Sequence, residues 1–241
     1  MTHWRYIELG GSSAQTVAQD ETGRFWFAPG VIHSPTSFVA LACPGLIEHG
    51  RVRYATNLGW PADADPAQQL DIAQLRLVIN DAEAAALGEA ILRSTTASPP
   101  DLLYIALGTG VGSAIVVNHT ALPYDIGHCQ IGGTKYCAGC QSIGCLNSEL
   151  EARALPPVLS AADQKFIAEM LGRALAMHPI DRQLPIILGG GIIRRYPAIR
   201  THFASLVSHA IEATAAPAEA KSAAYAGLAY CAAQSEKSRI Q

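Results

Sequence analysis

The chain has 241 residues, 49% hydrophobic and 15% charged, with a formal net charge of −3, so it can bury one or two full cores but carries no basic block to neutralise nucleic-acid phosphates. No apolar run approaches the roughly 18 residues that a membrane-spanning helix needs, and the opening MTHWRYIELGG lacks the charged-then-apolar order of a signal peptide. A cytoplasmic protein with neither a nucleic-acid nor a membrane partner is therefore expected.

Taken in order, Trp4–Leu9 is predicted as a strand, Gly10-Gly11-Ser12-Ser13 as a turn, Ala14–Ala18 as the returning strand and Phe25–Phe27 as a third. PGVIHSPT (29–36) reads as an irregular loop. Ser37–Cys43 is an apolar strand stopped by Pro44-Gly45. Ala67–Leu75 is predicted as a helix, Leu77–Ile79 as a buried strand ending at Asn80-Asp81, and the Ala/Glu/Leu-rich Ala82–Leu92 as a strong helix. Leu102–Leu107 runs into Gly108-Thr109-Gly110, with Ser113–Val117 as its partner strand. After a cysteine-rich segment come helices over Ala161–Met177, Ala198–Thr214 and Ala218–Ala233. The strand Leu184–Leu188 lies between the first two and ends in Gly189-Gly190-Gly191. Strands ending in glycine turns and interleaved with helices predict an α/β chain, and no sequence repeat or low-complexity tract interrupts it.

The segment DIGHCQIGGTKYCAGCQSIGC (125–145) places His128, Cys137, Cys140 and Cys145 close together. Three thiols and an imidazole suit a tetrahedral structural zinc site with every position filled by protein. A redox Cys-x-x-Cys pair would explain neither Cys145 nor His128, and a disulfide framework does not suit a chain without an export signal. Cys43 and Cys231 lie in apolar segments and read as inert core residues.

Three strands end in small-residue loops: LGGSS (9–13), LGTGVG (107–112) and LGGGI (188–192). Glycine lets backbone N–H groups approach phosphate oxygens, but neither the P-loop nor the dinucleotide fingerprint fits. Each loop alone is more often a tight connection; three on one nucleotide would need a fold that brings them together. Asn80-Asp81, between a buried strand and a helix, is either a helix cap or a carboxylate placed to take a proton from an attacking hydroxyl.

In this order the motifs LGGSSAQT (9–16), Pro44-Gly45, NLGW (57–60), INDAEAAALGE (79–89), LGTGVGS (107–113), Gly127-His128 with its cysteines and LGGGI (188–192) resemble those of the ROK sugar kinases (repressor, open reading frame, kinase). That resemblance implies the actin-like ATPase (ribonuclease H-like) fold, an α/β arrangement of two lobes around a nucleotide and sugar cleft. The smaller lobe would span 1–97, rejoined by a helix at about 218–235, and the larger 98–217, with the zinc-binding segment at 128–145. The implied activity is glucokinase-like transfer of a phosphoryl group from ATP to a hydroxyl of a hexose or similar polyol, with Asp81 as general base. Asn57, Asn80, Asp81, Asp125, His128 and Asn147 would hold the sugar. Glu8, Gly10, Gly11, Ser12, Gly108, Thr109, Gly110, Gly189, Gly190 and Gly191 would hold ATP and Mg2+. His128, Cys137, Cys140 and Cys145 would hold a structural Zn2+, and a homodimer is implied. The alternatives are a catalytically weak sugar-binding regulator, or a kinase for a modified sugar or cyclitol.

The chain departs from the family pattern at informative places. Glu8 and Asp125 exchange the usual Asp and Glu for each other's length, and Asn147 stands where a sugar-binding Glu is usual. Glu149, two residues on, is a candidate substitute. The first zinc cysteine is displaced by one position, Gln141 takes a glycine's place, and Cys129 is a competing ligand. The chain is also shorter than is usual for such kinases.

Overall fold

In a computed structural model of the chain, residues 3–10, 14–19, 25–27, 37–94, 99–178, 180, 184–207, 210–211 and 223–240 are described. The predicted turn at Gly11–Ser13 and the loop PGVIHSPT fall outside them. The chain divides into two units, Met1–Pro99 with Thr214–Gln241, and Pro100–Ala213.

The first unit opens with β1 (His3–Leu9), β2 (Ala14–Gln19) and β3 (Phe25–Phe27), followed by β4 (Ser37–Cys43). A hairpin, β5 (Leu46–Glu48) and β6 (Arg51–Tyr54), turns on His49 and Gly50, both at positive φ (50° and 74°), the primed geometry that matches strand twist. The predicted helix 67–75 is one turn only, α1 (Pro66–Gln69). Asp65 caps it through Ala67 N, and Asp71 takes φ 52° just beyond it, so the chain leaves helical space before Leu75. Next come β7 (Leu75–Asn80) and α2 (Asp81–Arg93). The sheet order is β3-β2-β1-β4-β7, with β1, β4 and β7 parallel and β2 and β3 antiparallel. One face packs Ile7, Leu9, Val39, Leu41 and Ile72 into a core.

The second unit repeats that plan. It contains β8 (Leu102–Leu107), β9 (Val111–Val117) and β10 (Thr120–Pro123), joined by a second primed turn at Asn118-His119 (φ 48° and 65°). A small hairpin follows, β11 (Tyr136–Cys137) with β12 (Ser142–Ile143), then α3 (Leu146–Leu150) and the predicted long helix α4 (Ala161–Met177). Ser160 and Asp163 close a capping box at the start of α4. β13 (Ile186–Gly189), α5 (Gly191–Arg195), α6 (Ala198–Leu206) and β14 (Ala210–Ile211) complete the unit. The predicted helix 198–214 therefore stops at Leu206. Ala210 and Ile211 instead extend the sheet by pairing in parallel with Ile186 and Ile187, a tertiary override of local propensity. The order β10-β9-β8-β13-β14 has the same two antiparallel and two parallel junctions as the first sheet. Its core joins Leu103, Ile105 and Leu107 to Ile167, Leu171 and Phe203.

The last helix, α7 (Ala224–Ile240), returns to the first unit and lies on α2. A Cβ on Gly88 would sit 1.7 Å from Ala223 O, and one on Gly227 2.1 Å from Ala84 O. The two helices touch backbone to backbone, which the alanine and glycine content of both makes possible. Among the described residues no helix is long and apolar enough to cross a membrane.

Candidate functional site

Three parallel strands of the first unit end side by side: β1 at Glu8–Leu9 and Gly10, β4 at Cys43, β7 at Asn80. Ligands of open α/β sheets gather outside such carboxyl ends. Asn80 caps α2, its Oδ1 accepting from Ala82 N (2.8 Å) and Glu83 N (3.2 Å), while its Nδ2 donates to Gly45 O (2.8 Å). The cap is therefore Asn80, and Asp81 is the first residue of the helix, half-buried, with Oδ1 also accepting from Ala82 N (2.9 Å). Desolvation pushes the Asp81 carboxyl up to about 6, against the Ala82 N–H, which favours the charged form. Burial and then the Asp81 charge push the Cys43 thiol up to about 12, so this neighbour stays protonated. Glu83 is raised by burial and by Asp81 as well. Asn57 lies exposed in the turn 56–59.

In the second unit two of the three glycine loops come together. β8 and β13 are parallel neighbours with Gly189 opposite Ala106, so Gly108–Gly110 and Gly189–Gly191 leave the same sheet edge. Gly108 N donates to Gly110 O (2.9 Å), closing a tight turn with Thr109 exposed at its tip. Gly190 has φ 90° and a Cβ there would lie 2.4 Å from Leu107 O, so only glycine lets the third loop close on the second. Of the first loop only Gly10 is described; Gly11 and Ser12 lie outside the described residues.

Below these loops the donor atoms of His128, Cys137, Cys140 and Cys145 all lie within 4.8 Å of one another. His128 Nδ1 is 3.7 Å from Cys137 Sγ and 3.8 Å from Cys145 Sγ. A tetrahedral zinc with ordinary Zn–N and Zn–S lengths separates such atoms by about 3.6 Å, so the set fits that ion. The hairpin β11–β12 carries Cys137 and turns through Cys140, and Cys145 caps α3 with its sulfur accepting from Ser148 N (3.4 Å). Burial alone would raise the Cys137 thiol, but the amides of Cys140 and Gly139 and the neighbouring thiols turn toward it, and it lies below the ordinary thiol range. Burial pushes Cys145 up to about 11. Gln141 takes φ 56°, in the left-handed region that glycine adopts without strain.

The candidate sugar residues divide. Asp125 is exposed, and its Oδ1 accepts from His128 N (3.2 Å), so carboxylate and imidazole share one short turn. Nδ1 is the ring nitrogen of His128 that faces the thiols. Asn147 is committed inward: Oδ1 accepts from Val111 N (2.8 Å) and Nδ2 points at Cys137 Sγ (3.7 Å). Glu149 does not take over a sugar position, because Oε1 accepts from both Thr134 N and Lys135 N (2.8 Å each). Nor does Cys129 compete for the metal; its Sγ faces Ala174 O (3.9 Å) and packs on the core. The engagement of Asn147 was missed in the sequence. Its spacing two residues after Cys145 was the available signal.

The sequence profile of the ROK family matches residues 32–183. A polyphosphate glucokinase of Mycobacterium tuberculosis is 28% identical over 191 residues, which cover 76% of this chain and 63% of that protein. A xylose repressor of Caldicellulosiruptor bescii is 29% identical over 132 residues, covering 50% of this chain and 32% of that protein. The chain thus spans less than two thirds of the length of these curated relatives. Among solved structures, a ROK family glucokinase from Streptomyces griseus, in complex with glucose and AMPPNP, superposes with a TM-score of 0.72 at 18% identity, over 96% of this chain and 99% of that one. The fold is that of the actin-like ATPases.

Proposed function

Because the chain belongs to the ROK family, we propose that it is a sugar kinase, transferring the γ-phosphoryl group of ATP to a hydroxyl of a hexose or related polyol. The observation that carries the reading is the Asp81 carboxyl, half-buried at the carboxyl edge of parallel strands and raised to about 6. A base of that strength is ionised at neutral pH and still able to take a proton from a hydroxyl as it attacks. Asp125 Oδ2 and His128 Nε2 are assigned to sugar hydroxyls, since a polyol needs both acceptors and donors. Asn57 is assigned to the sugar as well, while Asn80 and Asn147 support the walls through the bonds described above. The backbone N–H groups of Gly10, Gly11, Gly108, Thr109, Gly110 and Gly189–Gly191, with the Ser12 hydroxyl, are assigned to the phosphates and adenosine. Glu8 would hold Mg2+, which neutralises charge on the transferring group. Zn2+ on His128, Cys137, Cys140 and Cys145 would fix the ring of His128 and activate no water, because protein fills all four positions.

The test is coupled ADP release over a panel beginning with glucose, with ATP and, in view of the Mycobacterium relative's name, polyphosphate as alternative donors. Wild type is expected to turn over at least one sugar. Asp81→Asn is expected to lose about 10²–10⁴-fold in kcat. Equal turnover by wild type and Asp81→Asn would remove Asp81 from the mechanism. The xylose repressor relative favours one second reading, a sugar-responsive binder. Thermal stabilisation by a sugar with no turnover of any donor would select it.

A further inference from the structure

We propose that Asn147 is a positioning residue that ties the metal-binding thiolate of Cys137 to the second glycine loop. The inference rests on the zinc assignment above and not on turnover. A backbone N–H must be met by an acceptor, so Val111 N fixes Oδ1 toward the start of β9 (2.8 Å) and leaves Nδ2 facing Cys137 Sγ (3.7 Å). The amide of Asn147 itself donates to Gly127 O (2.6 Å), one residue before His128, and Ala152 N donates to Thr109 O (3.1 Å). The α3 segment is thus sewn to the glycine loop at Thr109 and Val111 and to the metal ligands at Cys137 and beside His128.

Only an amide does this work. A carboxylate would accept from Val111 but could offer the sulfur no N–H and would repel a thiolate; an apolar side chain would do neither. An N–H aimed at a thiolate stabilises its charge and withdraws electron density from the metal–sulfur bond. Hydrogen-bond partners of ligating atoms commonly govern metal affinity about 10- to 100-fold. The exchange of the family's Glu for Asn at this position therefore trades a sugar contact for control of the metal site and of the loop assigned to phosphate.

The experiment compares wild type with Asn147→Leu and the isosteric Asn147→Asp, each loaded with zinc and, separately, with Co2+. Zinc affinity by chelator competition is expected to fall about 10- to 100-fold in both variants. The sulfur-to-cobalt charge-transfer band is expected to move to lower energy, a signature that a merely structural role would not move. The KM for the phosphoryl donor is expected to rise in Asn147→Leu and to hold in Asn147→Asp, which keeps the Val111 bond. Wild-type zinc affinity and an unshifted band in Asn147→Asp would overturn the proposal, even if Asn147→Leu fails to fold. Absence of turnover in every protein, with the affinity and band changes intact, would overturn the kinase reading alone.

Discussion

At Asp81 the same desolvation that supports the general-base role proposed for the carboxyl sets a pH signature. The folded protein holds the proton up to about 6, above the ordinary value of 3.8, so the folded state binds more protons in that window and stability falls as pH rises through it. Under the proposed mechanism, activity should run the opposite way, rising through a midpoint near 6 as Asp81 ionises. Asp81→Asn is therefore expected to melt higher than wild type at pH 7.5 while losing turnover, and a lower melting temperature there would contradict the assigned desolvation. Gln141 is a second residue held against its preference, since a side chain at φ 56° costs about 1–2 kcal/mol that glycine avoids, offset in part by the greater freedom glycine has when unfolded. Gln141→Gly in zinc-loaded protein should gain up to about 1 kcal/mol by chemical denaturation. The cluster of candidate metal ligands was legible in the sequence because soft donors at this spacing have few other uses. The roles of Asn80 and Asn147 were not, since an asparagine's partners depend on which backbone groups the fold leaves nearby. His49 and His119, without assignment in the sequence, prove to be left-handed turn residues.

Among elements, the pairing of α2 with α7 shows how composition becomes geometry. Ala82, Ala84, Ala85, Ala86 and Ala90 of α2 are buried, as are Ala224, Leu228 and Ala232 of α7, and Gly88 and Gly227 remove the last obstacles to backbone contact. Gly227→Ala would drive a methyl toward Ala84 O, an overpacking that costs about 1–3 kcal/mol. Denaturant midpoints would show it, and a neutral result would mean that the helices can part. The strength of α2 and α4 was readable, because both are long and rich in helix formers. The over-long readings at 67–75 and 198–214 failed for separate reasons. A left-handed Asp71 ends the first, and an open sheet edge beside β13 claims Ala210 and Ile211 from the second. The two-residue strands β11 and β12 carry no period at all. A hairpin so short does not stand alone, and its stability falls to the α3 bonds and, under the zinc assignment, to the four candidate ligands.

For the whole molecule, the two units share one strand order and one set of parallel and antiparallel junctions. That shared plan leaves no repeat in the sequence because it concerns connection and register, which many side chains satisfy equally well. The units should also differ in their response to metal removal, since all four candidate ligands belong to Pro100–Ala213. Chelation is expected to speed amide hydrogen exchange in β11, β12 and α3 and to leave the protection of α2 and α7 unchanged. Equal acceleration in both units would mean that the ion stabilises the molecule as a whole. The discontinuity of the first unit has a consequence for synthesis on the ribosome. Its sheet emerges early, but α2 must wait with an uncovered alanine face until α7, encoded more than a hundred residues later, leaves the exit tunnel. The unit begun first is thus finished last, and nascent chains halted before Ala224 should present α2 to chaperones.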